Sequence, residues 1–256
     1  MKLNYHNTSL FYTVAGQGPV MVLLHGFLES SEMWKELIPE ISQNYKVVAI
    51  DLPGHGKSGI LSETHSMEQM AHAVRFVLQH LKISEAIFVG HSMGGYVALA
   101  YAELFEAEVT SLVLLNSTPA EDSAERKENR VRALSVIEKN PTAFISMAIT
   151  NLFAEGSQKV YASEITTIKN IALRFPLAGI IAAIKGMKDR QDRTSVLKQF
   201  SKKKYMICAT EDPIMPFEIA AIWAKFCNAT LIKVSGGHMS HIEQKEEIVN
   251  FLHFIE

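Results

Sequence analysis

Gly90-His91-Ser92-Met93-Gly94-Gly95 lies where a strand-like apolar run, Ile83 to Gly90, gives way to a helical one, Tyr96 to Phe105. Gly-x-Ser-x-Gly in that setting describes a nucleophile elbow, a turn so tight that small residues must flank the serine. Such a turn lifts the Ser92 hydroxyl clear of a sheet at a helix N-terminus, where backbone amides and the helix dipole favour developing negative charge. The three fixed letters alone would arise by chance about 0.1 times in a chain of this length. The strand before them and the helix after them give them their weight.

On either side of this turn the chain alternates two periodicities. Leu10 to Ala15, Val20 to Leu24, Lys46 to Asp51 and Val109 to Leu115 read as strands, and the unbroken apolar run Val20 to Leu24 suits a sheet covered on both faces. Met33, Trp34, Leu37, Ile38 and Ile41 recur at helical spacing. Ser66 with Gln69 forms a candidate capping box ahead of a second amphipathic helix running from Met67 to Leu81. Strands alternating with helices imply an α/β fold, with a mostly parallel sheet and helices on both faces. The alternation stops at Thr118. From there to Phe200 only helical patterns occur: Glu121 to Asn140, Pro141 to Phe153, Val160 to Phe175 and Pro176 to Lys188. Strand character returns at Tyr205 to Ala209 and Thr230 to Val234, with helices at Pro216 to Phe226 and Glu243 to Phe254. The expectation is one core domain made of residues 1–117 and 201–256, interrupted by a helical cap at residues 118–200.

Composition narrows the function classes. A chain of 256 residues, 48% hydrophobic and 20% charged, can bury a large core, which excludes global disorder. Its formal net charge of -2 gives no electrostatic reason to expect nucleic acid or an anionic membrane as partner. The basic run Lys202-Lys203-Lys204 reads as a solvated approach to a strand. Met1 to Asn7 carries one positive residue with no apolar stretch behind it, unlike a secretory signal, and no run approaches the ~20 apolar residues of a membrane span. A soluble, cytoplasmic monomer or homodimer without stable membrane association is expected. Cys208 and Cys227 are too few and too unpatterned for a disulfide framework or a zinc site, and read as reduced, buried fillers.

Further blocks accompany the elbow: His25-Gly26-Phe27 after an early strand, Asp51-Leu52-Pro53-Gly54-His55-Gly56-Lys57-Ser58 after the next, Glu211-Asp212-Pro213 after a late strand, and Gly237-His238 near the end. In these blocks and their order the sequence resembles the α/β-hydrolase superfamily over essentially its whole length. The resemblance implies an eight-stranded-type, mostly parallel sheet, a four-helix cap inserted after the sixth strand, and the chain order nucleophile, acid, histidine.

Each position can be matched to the chemistry required of it. A serine hydroxyl is a weak nucleophile and needs a base within hydrogen-bond reach, a role suited to imidazole because it titrates near neutrality. His238 is the candidate base, since Gly236-Gly237 can turn sharply off a strand end. His241 is its rival or a polar neighbour, and metal binding by the two lacks a third ligand at a recognisable spacing. Asp212 is the candidate that orients the imidazole and stabilises it when protonated, with Glu211 the nearest rival. Some relatives carry the acid after the sixth strand. Asn116 stands there instead, an amide that cannot compensate an imidazolium. By the geometry of the fold, the backbone N–H groups of Phe27 and Met93 form the oxyanion hole. His25 reads as a loop brace, and Asp51, His55 and Ser58 as a loop-stabilising network.

These residues point to a serine hydrolase that cleaves a small-molecule ester or related acyl compound through an acyl-Ser92 intermediate, with no metal or organic cofactor. Relatives that attack through an aspartate at the elbow are excluded by Ser92 itself. Lactone opening, C–C bond hydrolysis and perhydrolysis are alternatives on the same triad, and a ligand receptor with slow hydrolysis is a further one. Candidate pocket-lining residues are His91, Phe144, Met147 and Phe153. Arg126, Arg130, Arg132 and Arg174 could recognise a substrate carboxylate, but solvated helix faces explain them equally well.

Overall fold

The computed structural model describes residues 1–255. Its strands are β1 (Lys2–Tyr5), β2 (Thr8–Ala15), β3 (Val20–Leu24), β4 (Lys46–Asp51), β5 (Ala86–His91), β6 (Val109–Leu115), β7 (Lys203–Ala209) and β8 (Thr230–Val234). Its helices are α1 (Ile38–Ile41), α2 (Met67–His80), α3 (Met93–Leu104), α4 (Ala124–Lys139), α5 (Pro141–Thr150), α6 (Ala162–Ala172), α7 (Leu177–Lys188), α8 (Thr194–Gln199), α9 (Phe217–Phe226), α10 (Ser240–Glu243) and α11 (Lys245–His253). The strands form one sheet in the order β1-β2-β4-β3-β5-β6-β7-β8. β2 runs antiparallel to both β1 and β4, and every pairing from β4 to β8 is parallel.

The apolar runs explain the layering. Every residue of β5 is buried, as a central parallel strand covered on both faces must be. On one face α2 and α3 pack Val74, Val77, Val97 and Tyr101 against Val22, Phe88 and Leu112. On the other, Trp34, Leu37, Ile41, Ile248 and Leu252 cover Met21, Val89 and Val113. A third cluster, built on Ile137, Ile145, Ile149, Ile165, Ile180 and Ile184, forms the interior of the helices between β6 and β7 and closes on Leu28 and Met239. The capping box at Ser66 forms as its sequence implies: its side chain accepts from Gln69 N–H, and the Gln69 side chain accepts from Ser66 N–H.

The chain departs from the sequence reading in several places. β1 is a strand because a turn at His6, with φ 50°, folds it back on β2. The helical spacing between Met33 and Ile41 resolves into a 3-10 turn, Ser31–Trp34, and the single turn α1. Pro39 lies in that turn and supplies no N–H to a continuous helix. The segment after β6 carries a fifth helix, the short α8, whose Leu197 packs into the core cluster of the sheet rather than the roof. The lysine run also does more than meet solvent. Lys204 Nζ donates to the carbonyls of Leu197, Lys198 and Phe200 at 2.7, 2.8 and 3.0 Å, capping the end of α8, and Lys202 Nζ donates to Val109 O at 2.5 Å. Both cysteines are free and buried. No single helix among the described residues is long and apolar enough to cross a membrane.

One helix joins the roof to the sheet. α7 sends Ile180 and Ile184 into the roof cluster and Ala183 and Met187 into the sheet cluster. It lies so close to the segment before α2 that His65 N–H donates to Ala182 O at 3.0 Å, and a Cβ on Gly186 would overlap the His65 carbonyl oxygen. Gly186→Ala is therefore expected to destabilise the protein by about 1–3 kcal/mol in urea unfolding, the scale of overpacking a tight contact. Gly156→Ala, which meets open space, is expected to leave stability unchanged or slightly raised.

Candidate active site

The C-terminal ends of the parallel strands bring the candidate residues to one edge of the sheet, where ligands of open α/β sheets bind. His25 follows β3, Ser92 follows β5, Asn116 follows β6, Asp212 follows β7 and His238 follows β8. Ser92 sits at φ 49° and ψ -114°, a conformation that L-residues rarely adopt. Its N–H donates to Leu115 O at 3.0 Å and its carbonyl accepts from Ser117 Oγ at 2.7 Å, so the end of β6 holds both polar groups of its backbone. Gly94 is required because a Cβ there would overlap the Leu24 carbonyl, against which the first turn of α3 rests.

Ser92, His238 and Asp212 meet in a line. Ser92 Oγ lies 2.8 Å from His238 Nε2, and His238 Nδ1 lies 2.7 Å from Asp212 Oδ2. The other oxygen of Asp212 accepts from the Ile214 and Met215 amides at 2.7 and 2.9 Å. Burial pushes the Asp212 carboxyl up, but His238 and these two amides outweigh it and hold the group below its ordinary value. Nδ1 therefore donates to an ionised carboxylate, which leaves Nε2 facing the serine. Glu211, the rival acid, is exposed.

His238 is also held by its backbone. Its N–H donates to Leu152 O at 2.8 Å, and its carbonyl accepts from Asn116 Nδ2 at 3.1 Å and from His91 Nε2 at 2.9 Å. Asn116 thus anchors the histidine loop from the position where some relatives carry the acid. The other nitrogen of His91, Nδ1, lies 2.8 Å from Glu29 Oε2. Both His91 nitrogens face acceptor oxygens, so each must carry a proton and the ring is an imidazolium paired with Glu29. Burial works against each charge. The partner prevails: His91 is held above the usual imidazole range, and Glu29 at about 2.

Sequence reading did not find Glu29, because the pair joins a loop after β3 to the end of β5. The same contact brings in His241, and ligating atoms of Glu29, His91 and His241 lie within 4.8 Å of one another. Burial pushes His241 down to about 3. It packs tilted against Trp34 and edge-on against His91, with centroids 5.9 and 5.2 Å away, whereas the hydrogen bond to Ser92 Oγ comes from His238.

The loop residues take the bracing roles expected of them. Leu52 N–H donates to His25 Nε2 at 2.8 Å and His25 Nδ1 lies 2.7 Å from Gly26 O, so His25 is a neutral clamp between two loops. Asp51 accepts from the Ser31 and Lys57 amides at 2.7 Å each, and Ser58 Oγ donates to Asp51 O at 2.6 Å. Met93 opens α3, so its N–H belongs to the first-turn amides that lack an intrahelical acceptor. The Phe27 amide likewise has no backbone acceptor among the described residues.

Above Ser92 is a chamber of about 440 Å³, walled by Phe27, His91, Tyr96, Phe144, Leu152 and His238 among others. Two expected lining residues are elsewhere. Met147 is 56% exposed on the outer side of α5, since Phe144 and Ala148, four residues apart, take the inward face. Phe153 is buried in the interior of the roof beside Tyr161, and its neighbours Asn151 and Leu152 line the chamber instead. A separate cavity of about 470 Å³, between α6 and the Leu28–Leu37 segment, does not include Ser92.

The comparisons with known proteins settle the family. The model of the alpha/beta hydrolase fold matches residues 19–245. The chain belongs to that family. The hydrolase superposes on a thermophilic esterase from Thermogutta terrifontis, solved with malate bound, with a TM-score of 0.90 and 29% identity, covering 96% of this chain and 92% of that one. It superposes on the enol-lactonase from Burkholderia xenovorans LB400 with a TM-score of 0.91 and 20% identity, covering 98% of each chain. It is 38% identical over 110 residues to the pimeloyl-[acyl-carrier protein] methyl ester esterase of Methylococcus capsulatus, a match spanning 43% of this chain and 41% of that protein.

The Glu29–His91 pair yields a stability prediction for the hydrolase. Glu29 is held at about 2 against an ordinary value of 4.5, so its contribution is complete above that value and is lost as the pH falls towards 2. Urea unfolding of the wild type is expected to show this loss between pH 4.5 and the acid limit, and Glu29→Gln a shallower one. At neutral pH, Glu29→Ala is expected to destabilise by about 3–5 kcal/mol, because it strands a buried imidazolium.

Proposed function

We propose that this α/β-hydrolase cleaves a small carboxylic ester, or a related acyl compound, through an acyl-enzyme formed on Ser92. What supports this reading above all is the unbroken line Ser92 Oγ, His238 Nε2, His238 Nδ1, Asp212 Oδ2, with steps of 2.8 and 2.7 Å across the two contacts. Ser92 Oγ attacks the substrate carbonyl carbon while His238 Nε2 takes its proton, and the carbonyl electron pair moves onto oxygen. The Phe27 and Met93 amides donate to that oxyanion. As the tetrahedral adduct collapses, the C–O bond to the alcohol breaks and His238 returns the proton to the leaving oxygen. Water then repeats the sequence: His238 removes its proton, hydroxide adds to the acyl carbon, and Ser92 departs with the proton. Asp212 stays ionised throughout, fixing the ring orientation and stabilising the imidazolium formed twice per cycle.

Short aryl esters provide the test. The wild type is expected to turn over many times and to be labelled stoichiometrically at Ser92 by a fluorophosphonate. Ser92→Ala is expected to lose kcat by a factor on the order of 10⁵–10⁶ with the fold intact, and Asp212→Asn by roughly 10³–10⁴. A Ser92→Ala protein with wild-type turnover would sink the assignment. Parallel assays on lactones, β-diketones and perhydrolysis rank ester cleavage against the other reactions open to the same triad, and a single slow turnover would favour the receptor reading.

A further inference from the structure

The roof wall of the chamber carries an unusual charge arrangement. Asp122, buried just before α4, is the one carboxylate for three guanidiniums: Arg190 Nη1 at 2.7 Å, Arg130 Nε at 2.9 Å and Arg126 Nε at 3.3 Å. Arg190 is buried, with its guanidinium 4.1 Å from the Tyr96 ring centre, and donates to Met187 O and Ala120 O at 3.1 and 2.9 Å. It is a structural member of the cluster. Arg126 and Arg130 stand four residues apart on one face of α4, and both line the chamber with Ser92 and His238. Arg126 spends a terminal nitrogen on Ile214 O at 3.0 Å, in the loop that holds Asp212. Arg130 bonds only through Nε, which leaves both of its terminal nitrogens without an acceptor among the described residues. Among the described residues no Asp or Glu lines the chamber.

Other charges of this segment lie away from the chamber. Lys127 meets Glu121 at 2.5 Å and Arg132 meets Glu128 at 3.4 Å, both among exposed side chains, and Arg174 is exposed on the roof. Asp122 neutralises one guanidinium in the cluster and leaves two positive charges over. Guanidinium donors that face the chamber can exchange the water there for an anion, and a carboxylate fits the planar donor edge of arginine. From this geometry we infer that the substrate carries a carboxylate remote from its scissile ester, held by Arg126 and Arg130 while the ester carbonyl lies at Ser92. The inference rests on the Ser92 ester-hydrolase reading and specifies its substrate class. The carboxylate can belong to the acyl half, as in a half-ester of a dicarboxylic acid, or to the alcohol half, as in an acylated hydroxy acid.

The experiment compares paired substrates of matched length. Monomethyl adipate is set against methyl hexanoate for the acyl side, and 4-acetoxybutyrate against butyl acetate for the alcohol side. In the wild type at least one anionic member is expected to exceed its neutral partner in kcat/KM by about tenfold or more, and the pair that does so locates the carboxylate. The advantage is expected to shrink as salt rises from about 0.05 to 0.5 M, since the chamber is open to ions. Arg130→Gln is expected to lower the anionic-to-neutral ratio about tenfold, chiefly through KM, and Arg126→Gln/Arg130→Gln to abolish the preference. Arg132→Gln removes the same charge from the same helix outside the chamber and is expected to leave the ratio as in the wild type. Adipate is expected to inhibit neutral-ester cleavage competitively in the wild type, a readout independent of how the variants fold. Neutral esters turned over with no anionic preference and no inhibition by adipate would overturn the carboxylate inference while leaving the ester-hydrolase reading intact. No turnover of any ester, with Ser92 unlabelled by fluorophosphonate, would overturn that underlying reading.

Discussion

Ser92 is held at a positive φ between a fully buried strand and a helix buried from Met93 to Ala102, and the site is arranged around that one strained residue. A backbone in this region costs about 1–3 kcal/mol, which persists only where the surroundings leave no alternative. Here β5 is held by ladders that run to Gly90 on the β3 side and to His91 on the β6 side, and Gly94 lets α3 start close against the Leu24 carbonyl. The strain aims Oγ out of the sheet. It also starts α3 directly after the serine, so the first-turn amide of Met93 is free to donate.

Fixing the serine is useful only if the histidine is fixed as well, and that depends on polar contacts among four separate strand ends. Asn116, the Glu29–His91 pair and the Leu152 carbonyl hold the His238 backbone, and Asp212 holds its ring. The roof therefore takes part in positioning His238 as well as covering the chamber. Its contact at Leu152 O and the Arg126 bond to Ile214 O tie it to the loops of His238 and Asp212 respectively.

Charge is distributed with the same locality. A net charge of -2 over the whole chain says little about the chamber, which two arginines line and, among the described residues, no carboxylate does. The near balance of 25 basic and 27 acidic residues holds over the whole chain, while the partly buried cluster at Asp122 stays unbalanced. A field of that kind acts at short range, within the roughly 8 Å over which physiological salt screens exposed charges.

The meeting of Ser92, Asp212 and His238, the strand order along the chain and the interruption after β6 were legible in the sequence, because tight turns and buried strands impose residue types at local spacing. β1 and α8 were not, since a short strand and a short helix carry too few residues to show a period. Tertiary structure alone decided which face of α5 looks inward, sending Phe144 into the chamber and Met147 out to solvent. It alone joined Glu29 to His91 across 62 positions, and separated Arg126 and Arg130 from Arg132 and Arg174. The reason is physical: backbone geometry depends on neighbours in the chain, whereas the partner of a buried charge depends on which surfaces the fold presses together.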